Sequence, residues 1–188
     1  NYFFDYQTSQ TVTLNENSSS YPIVSFDGKF QYARSTDKTK PAYSAWASGG
    51  SAIFRRSLWQ KLGGYNLMYA PGYWEDIDIG WTAWRSGYKI VFDPKAKCEH
   101  QHEVTFSQLD KNYVNLIKQR NELLFNWQHF ADQEHLRSHI KYLLFYTLFH
   151  PGYLKVILSA LTKIYQIRPL PKNLLSSSQV LKMIYETK

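Results

Sequence analysis

Apolar residues recur at helical spacing along much of the chain. Ile77, Trp81 and Trp84 stand at i, i+4 and i+7, and Gly87 follows Arg85 as a stop signal. This spacing predicts a helix that opens on Glu75 and Asp76 and closes near residue 85. From Ser107 onward Tyr113, Leu116, Ile117, Leu124 and Trp127 form a second stripe, with Arg120 inside it, four residues from both Leu116 and Leu124. A guanidinium on an apolar stripe needs a partner. Either an acid such as Asp76 or Asp78 supplies it, or Arg120 reaches a substrate phosphate. Residues 135–167 read as two helical pieces split by Pro151-Gly152. In the second piece Lys155, Ser159, Thr162, Lys163 and Gln166 oppose Leu154, Ile157, Leu158, Leu161, Ile164 and Tyr165. Neither apolar run has the roughly 18 residues that a spanning helix requires. The pair is either a hairpin packed on the domain or an interfacial anchor, and the anchor is preferred. From Pro169 the Pro-Leu-Pro and Ser runs predict a loosely attached end with one last short helix.

Period-two patterning lies mostly in the first half. Ile23–Phe26 and Lys29–Tyr32 flank Asp27-Gly28, a tight hairpin signal, and Val12 and Leu14 alternate upstream. Tyr88–Phe92 is predicted to be a strand stopped by Asp93-Pro94, with extended structure resuming over Ala96–Glu103. Ser57-x-x-Gln60 resembles a capping box for a short helix that ends at Gly63-Gly64. The alternation of both periods places the chain in the α/β class.

The 188 residues suit one domain with a helical extension, divided here as 1–130 and 131–188. The net charge of +7 is not packed into a single basic run. The tail is the exception: from Lys141 onward seven Lys or Arg face the single acid Glu186 among apolar residues. That mixture suits an anionic membrane surface better than a nucleic-acid groove, and no helix combines base-reading side chains with a phosphate stripe. The lone Cys98 cannot form an internal disulfide, and no charged-then-apolar leader is visible. The expected location is cytoplasmic, peripheral on the inner face of the cell membrane. An Asn at the first position reads as a piece cut from a longer protein.

Candidate chemistry gathers between Ser48 and Asp78. Two Gly pairs, Gly49-Gly50 and Gly63-Gly64, allow sharp turns or close backbone approach to a ligand. Glu75 and Asp76 at a helix start satisfy orphan N–H groups as well as any acids do. The preceding Tyr73-Trp74 tips the reading toward a sugar ring beside a general base. Arg55 and Arg56 are either contacts for phosphate or sugar oxygens or ordinary surface arginines. His100 and His102 share one face of an extended segment next to Glu103, a set for a divalent metal or a diphosphate, or simply a polar strand end.

The order Trp46-x-x-Gly49-Gly50, Phe54-Arg55-Arg56, Leu62-Gly63-Gly64-Tyr65, Glu75-Asp76-x-Asp78, Arg85-x-Gly87 and Pro94-x-Ala96-x-x-x-His100 resembles the C-terminal half of a family 2 glycosyltransferase. The similarity covers roughly residues 43 to 125. Arg120-Asn121 resembles the Arg-Asn of non-processive bacterial members, and the Gln-x-x-Arg-Trp of processive synthases is absent. The resemblance implies the acceptor-side half of a GT-A fold with a mixed central sheet, acting in inverting transfer from a nucleotide-sugar donor to a glycan or lipid-linked acceptor. It assigns Asp76 as the base and Trp74 and Glu75 to acceptor positioning. Gly49 and Gly50 would close on the donor sugar, while His100 and His102 would lie near a Mg²⁺ or Mn²⁺ ion and the diphosphate. The family's metal-holding Asp-x-Asp belongs to the donor-binding half; Asp76-x-Asp78 spells the same letters but opens a helix. The chain by itself is therefore expected to be inactive. A non-catalytic carbohydrate- or protein-binding module is the alternative, and 17% aromatic content is compatible with it.

Overall fold

The computed structural model describes residues 22–34, 39–96, 106, 108–168, 170 and 174–186. Strands β1 (Pro22–Phe26) and β2 (Phe30–Arg34) form the hairpin expected around Asp27-Gly28, in antiparallel register with Val24 opposite Tyr32 and Phe26 opposite Phe30. Gly28 takes φ 67°, the left-handed turn conformation that glycine adopts without penalty. Short strand β3 (Ala42–Tyr43) pairs antiparallel with β4 (Val91–Phe92). Only these last two residues of the expected 88–92 strand are ladder-paired. The mixed sheet implied by the resemblance is not found among the described residues, where each sheet is an antiparallel pair and no two strands run parallel.

Helices carry the rest. Helix α1 (Arg56–Leu62) starts one residue before the expected capping Ser57, and Arg55 caps it without a side-chain bond. It ends as expected at Gly63, whose φ of 83° closes the turn on the carbonyls of Trp59 and Gln60. Helix α2 (Glu75–Arg85) and the long α3 (Lys111–His129) follow, the latter capped by the Asp110 carboxylate on the N–H of Tyr113. Helix α4 (Gln133–Phe149) is capped in the same way by Asp132. A 3₁₀ turn over Pro151–Tyr153 leads into α5 (Leu154–Leu161), and α6 (Ser177–Glu186) ends the described chain.

The core is aromatic and centres on Phe30. Its ring meets Phe125 at 5.0 Å and Trp81 at 5.2 Å, and its N–H donates to Asn126 Oδ1 at 2.8 Å, which ties the hairpin to α3. Burial of side chains this large contributes about 2–3 kcal/mol each. Ile77, Trp81 and Trp84, the stripe read from the sequence, are all buried there. Tyr153, Val156, Ala160, Val180 and Ile184 belong to the same cluster, so α5 and α6 share the core of the preceding residues. Far from being loosely attached, α6 is clasped to the fold. Trp81 Nε1–H donates to Ser177 Oγ at 3.0 Å, Ser177 Oγ–H donates to the His129 carbonyl, and Arg85 and Leu175 exchange two hydrogen bonds.

Candidate functional site

The site is built where the 69–74 loop turns into α2. Asn66 opens a 3₁₀ turn over Leu67–Tyr69, and the chain then runs through a cis Ala70–Pro71 bond to two consecutive left-handed residues, Tyr73 (φ 69°) and Trp74 (φ 77°). An aromatic residue in this region costs on the order of 1–2 kcal/mol, so surrounding structure must hold it there. Helix α3 supplies that hold. Asn121 Nδ2 lies 2.8 Å from the Tyr69 carbonyl and 2.9 Å from those of Gly72 and Tyr73. Arg120 donates from Nη2 to the Ala70 carbonyl at 2.8 Å and from Nε to Asn121 Oδ1 at 3.0 Å, and Lys163 reaches the Met68 and Ala70 carbonyls. The loop thus presents its carbonyls to three donor side chains and its next residues to the site.

Those next residues are Glu75 and Asp76. Asp76 Oδ1 accepts the N–H of Ile77 at 2.9 Å, the expected service at a helix start, while Oδ2 accepts the N–H of Gly49 at 3.1 Å. Two segments 27 residues apart in sequence are joined by that second bond. A Cβ placed on Gly49 would lie 3.4 Å from the Tyr65 hydroxyl and 3.8 Å from Asp76 Cβ, so Gly49, Tyr65 and Asp76 are close neighbours. Burial raises the Asp76 carboxyl above the usual range, partly countered by the N–H groups of Gly49 and Ile77. Glu75 is raised by burial and by its neighbour Asp76, and its Oε2 is buried with no partner among the described residues. Burial, reinforced by both acids, pushes the Tyr65 phenol up to about 12, which keeps it a hydrogen-bond donor. Carboxylates shifted upward in a partly enclosed site are better proton acceptors than free ones.

The other expected site residues fall in different places. Trp74 is only 9% exposed and packs in the core against Phe125 at 5.2 Å and Phe30 at 6.1 Å. Tyr32, 53% exposed, lies 6.5 Å from the Trp74 ring and nearly at right angles to Trp46 at 5.0 Å. Gly50 is exposed beside Gly49, and Arg55 and Arg56 are exposed at the start of α1. Arg120 makes its hydrogen bonds to a backbone carbonyl and an amide, not to Asp76 or Asp78. His100 and His102 lie outside the described residues. Among the described residues no three His, Cys, Asp or Glu side chains gather as a metal centre would need.

Asp78 does not face the site. It is buried, and its Oδ1 receives the Tyr69 hydroxyl at 3.1 Å, Gln128 Nε2 at 2.9 Å and His129 Nε2 at 2.7 Å. One carboxylate oxygen thereby fastens α2 to the end of α3. The sequence pattern gave Tyr65 no role of its own, offered Asp78 only as a partner for Arg120, and gave no sign that Asn121 holds the 69–74 loop. The signals for Asn121 were its place beside Arg120 on an otherwise apolar stripe and the resemblance carried by the Arg120-Asn121 pair. Compared with known proteins, the chain matches no family model and no curated sequence.

Proposed function

We propose that the chain is the acceptor-side half of an inverting glycosyltransferase of GT-A type, with Asp76 as the general base. The observation that carries this reading is the bond from the Gly49 N–H to Asp76 Oδ2, which unites the glycine turn and the acidic pair whose order in the sequence resembles the family. In an inverting transfer an acceptor hydroxyl attacks the anomeric carbon in line with the departing nucleoside diphosphate, and its proton passes to a carboxylate. Each Asp76 oxygen accepts one backbone N–H and retains a lone pair, so the carboxylate is held in place without being saturated. The Tyr65 phenol beside it suits a hydrogen bond to a sugar oxygen. The Mg²⁺ or Mn²⁺ of the resemblance finds no donor set among the described residues.

The test is Asp76→Asn in the full-length protein that carries this chain, assayed against a panel of labelled nucleotide-sugars. Asn retains the size and cannot take the proton, and its single carbonyl oxygen keeps one of the two backbone bonds, that of Ile77 or that of Gly49. Turnover is expected to fall about a hundredfold or more with donor affinity nearly unchanged. Transfer at the wild-type rate by a folded variant removes Asp76 from the chemistry. Sugar binding without turnover in both proteins favours a carbohydrate-binding module instead.

A further inference from the structure

Six large apolar side chains left in solvent lie around one turn. Leu144, Phe145, Leu148 and Phe149, in the last two turns of α4, are 70, 67, 75 and 63% exposed, and Leu154 and Leu158 of α5 are about half exposed. Only His150 and the 3₁₀ turn separate the two helices, and Tyr146 packs on Tyr153 at 4.9 Å, so both exposed ends flank one turn. Helix α5 is inverted relative to an ordinary surface helix. It turns its smaller residues, Val156 and Ala160, into the core and leaves leucines outside. Exposed apolar groups in such a cluster mark a contact surface.

Charge decides what covers it. No Asp or Glu occurs between Glu134 and Glu186, whereas Arg137, Lys141 and Lys155 are exposed along the same two helices. A second copy docked on this face by a two-fold axis would bring like charges together. An anionic lipid surface answers both features, taking the leucines and phenylalanines below its headgroups and the lysines among its phosphates. No helix among the described residues is long and apolar enough to cross a membrane, which leaves a helix pair lying in the interface. We infer that the turn between α4 and α5, with the exposed helix ends that flank it, inserts into the interface of an anionic bilayer, with Lys141 and Lys155 on its headgroups. This inference does not depend on the transferase reading.

Flotation of the intact chain tests it, with vesicles of phosphatidylcholine alone and of phosphatidylcholine mixed with phosphatidylglycerol. The chain is expected to float with the mixed vesicles, less so in high salt. Phe145→Ser with Phe149→Ser should lower partitioning at least about tenfold, since each ring contributes buried apolar area in the bilayer. Both positions are exposed, so the far-ultraviolet circular dichroism should be unchanged. Lys141→Glu with Lys155→Glu should abolish the preference for the anionic lipid. No flotation with mixed vesicles, or flotation unaffected by the two serines, overturns the inference. So does a dimer in sedimentation equilibrium that the two serines dissociate, because a second copy would then own the face.

Discussion

Replacing Asn121 by Asp exchanges one amide nitrogen for oxygen, and that nitrogen faces the carbonyls of Tyr69, Gly72 and Tyr73 at 2.8, 2.9 and 2.9 Å. The two N–H bonds are shared among three acceptors, so their loss leaves carbonyls facing a carboxyl group in a fully buried position. Asn121→Asp is expected to cost about 2–4 kcal/mol, since a buried acceptor without a donor pays its desolvation in full. Denaturant unfolding measures this, and a loss under about 0.5 kcal/mol would mean that the loop is held elsewhere. This arrangement also explains what the sequence concealed about Arg120. Its place on an apolar stripe correctly announced a buried cation in need of a partner. An acid or a phosphate was the natural candidate, because backbone carbonyls become available there only through the left-handed turn at Tyr73 and Trp74, which no local pattern of aromatic residues signals. Asp76 differs in this respect. Its service to the helix start was legible from position alone, while its bond to Gly49 is a long-range contact.

Among the elements, α2 connects site and core, and Gly80 governs how closely it packs. A Cβ at Gly80 would sit 2.5 Å from Trp46 Cβ and 2.8 Å from Trp46 Cα, with the Ala45 carbonyl at 3.2 Å. The backbone segment at 45–46, which continues into the Gly49 turn, therefore rests directly on the helix. Gly80→Ala gains helix propensity of up to about 1 kcal/mol, yet forces the two backbones apart. The clash is expected to prevail, with a net loss of about 1–3 kcal/mol. Because the displaced segment carries Gly49, the amide resonance of Gly49 should also shift in heteronuclear NMR; a more stable protein with an unmoved Gly49 signal would refute the close packing. Helix α2 itself was legible because Ile77, Trp81 and Trp84 keep strict helical spacing and all face one core. The hairpin at Asp27-Gly28 was legible for the same local reason, since its turn residues dictate the geometry. Gly80 gave no such signal, as the reason for a glycine in mid-helix lies in another part of the chain. Likewise the start of α1 at Arg56 rather than at a capping box reflects a cap without a side-chain bond, against which Ser57-x-x-Gln60 had no advantage.

At the scale of the whole molecule, the network around Asp78 ties three helices into one unit and makes stability depend on pH. Tyr69, Gln128 and His129 converge on Asp78 Oδ1, and the His129 carbonyl accepts the Ser177 hydroxyl that anchors α6. His129 is fully buried, and burial holds its imidazole below the ordinary 6.5 despite the neighbouring carboxylate. The geometry agrees with a neutral ring: Nε2–H donates to Asp78, whereas Nδ1 has no partner among the described residues and as a protonated donor would be orphaned. His139 is lowered too, again by burial first. For both, the unfolded chain takes up a proton near pH 6.5 while the folded chain resists, so stability is complete above that value and falls as pH drops toward the folded pKa. Asp76, Glu75 and Glu122 are shifted upward by burial and act in the opposite sense, regaining stability as pH falls through their folded values, but they begin from the carboxylate range. Between pH 7.5 and about 5.5 the histidines are therefore expected to dominate, each contributing at most about 1.4 kcal/mol per pH unit. Unfolding midpoints measured across that window should decline toward acid. His129→Gln retains an N–H for Asp78 but cannot titrate, so its midpoint should decline less steeply even if it starts lower. An unchanged slope in that variant would show that the buried network takes up no proton in excess on unfolding, and that α2, α3 and α6 are held together independently of pH.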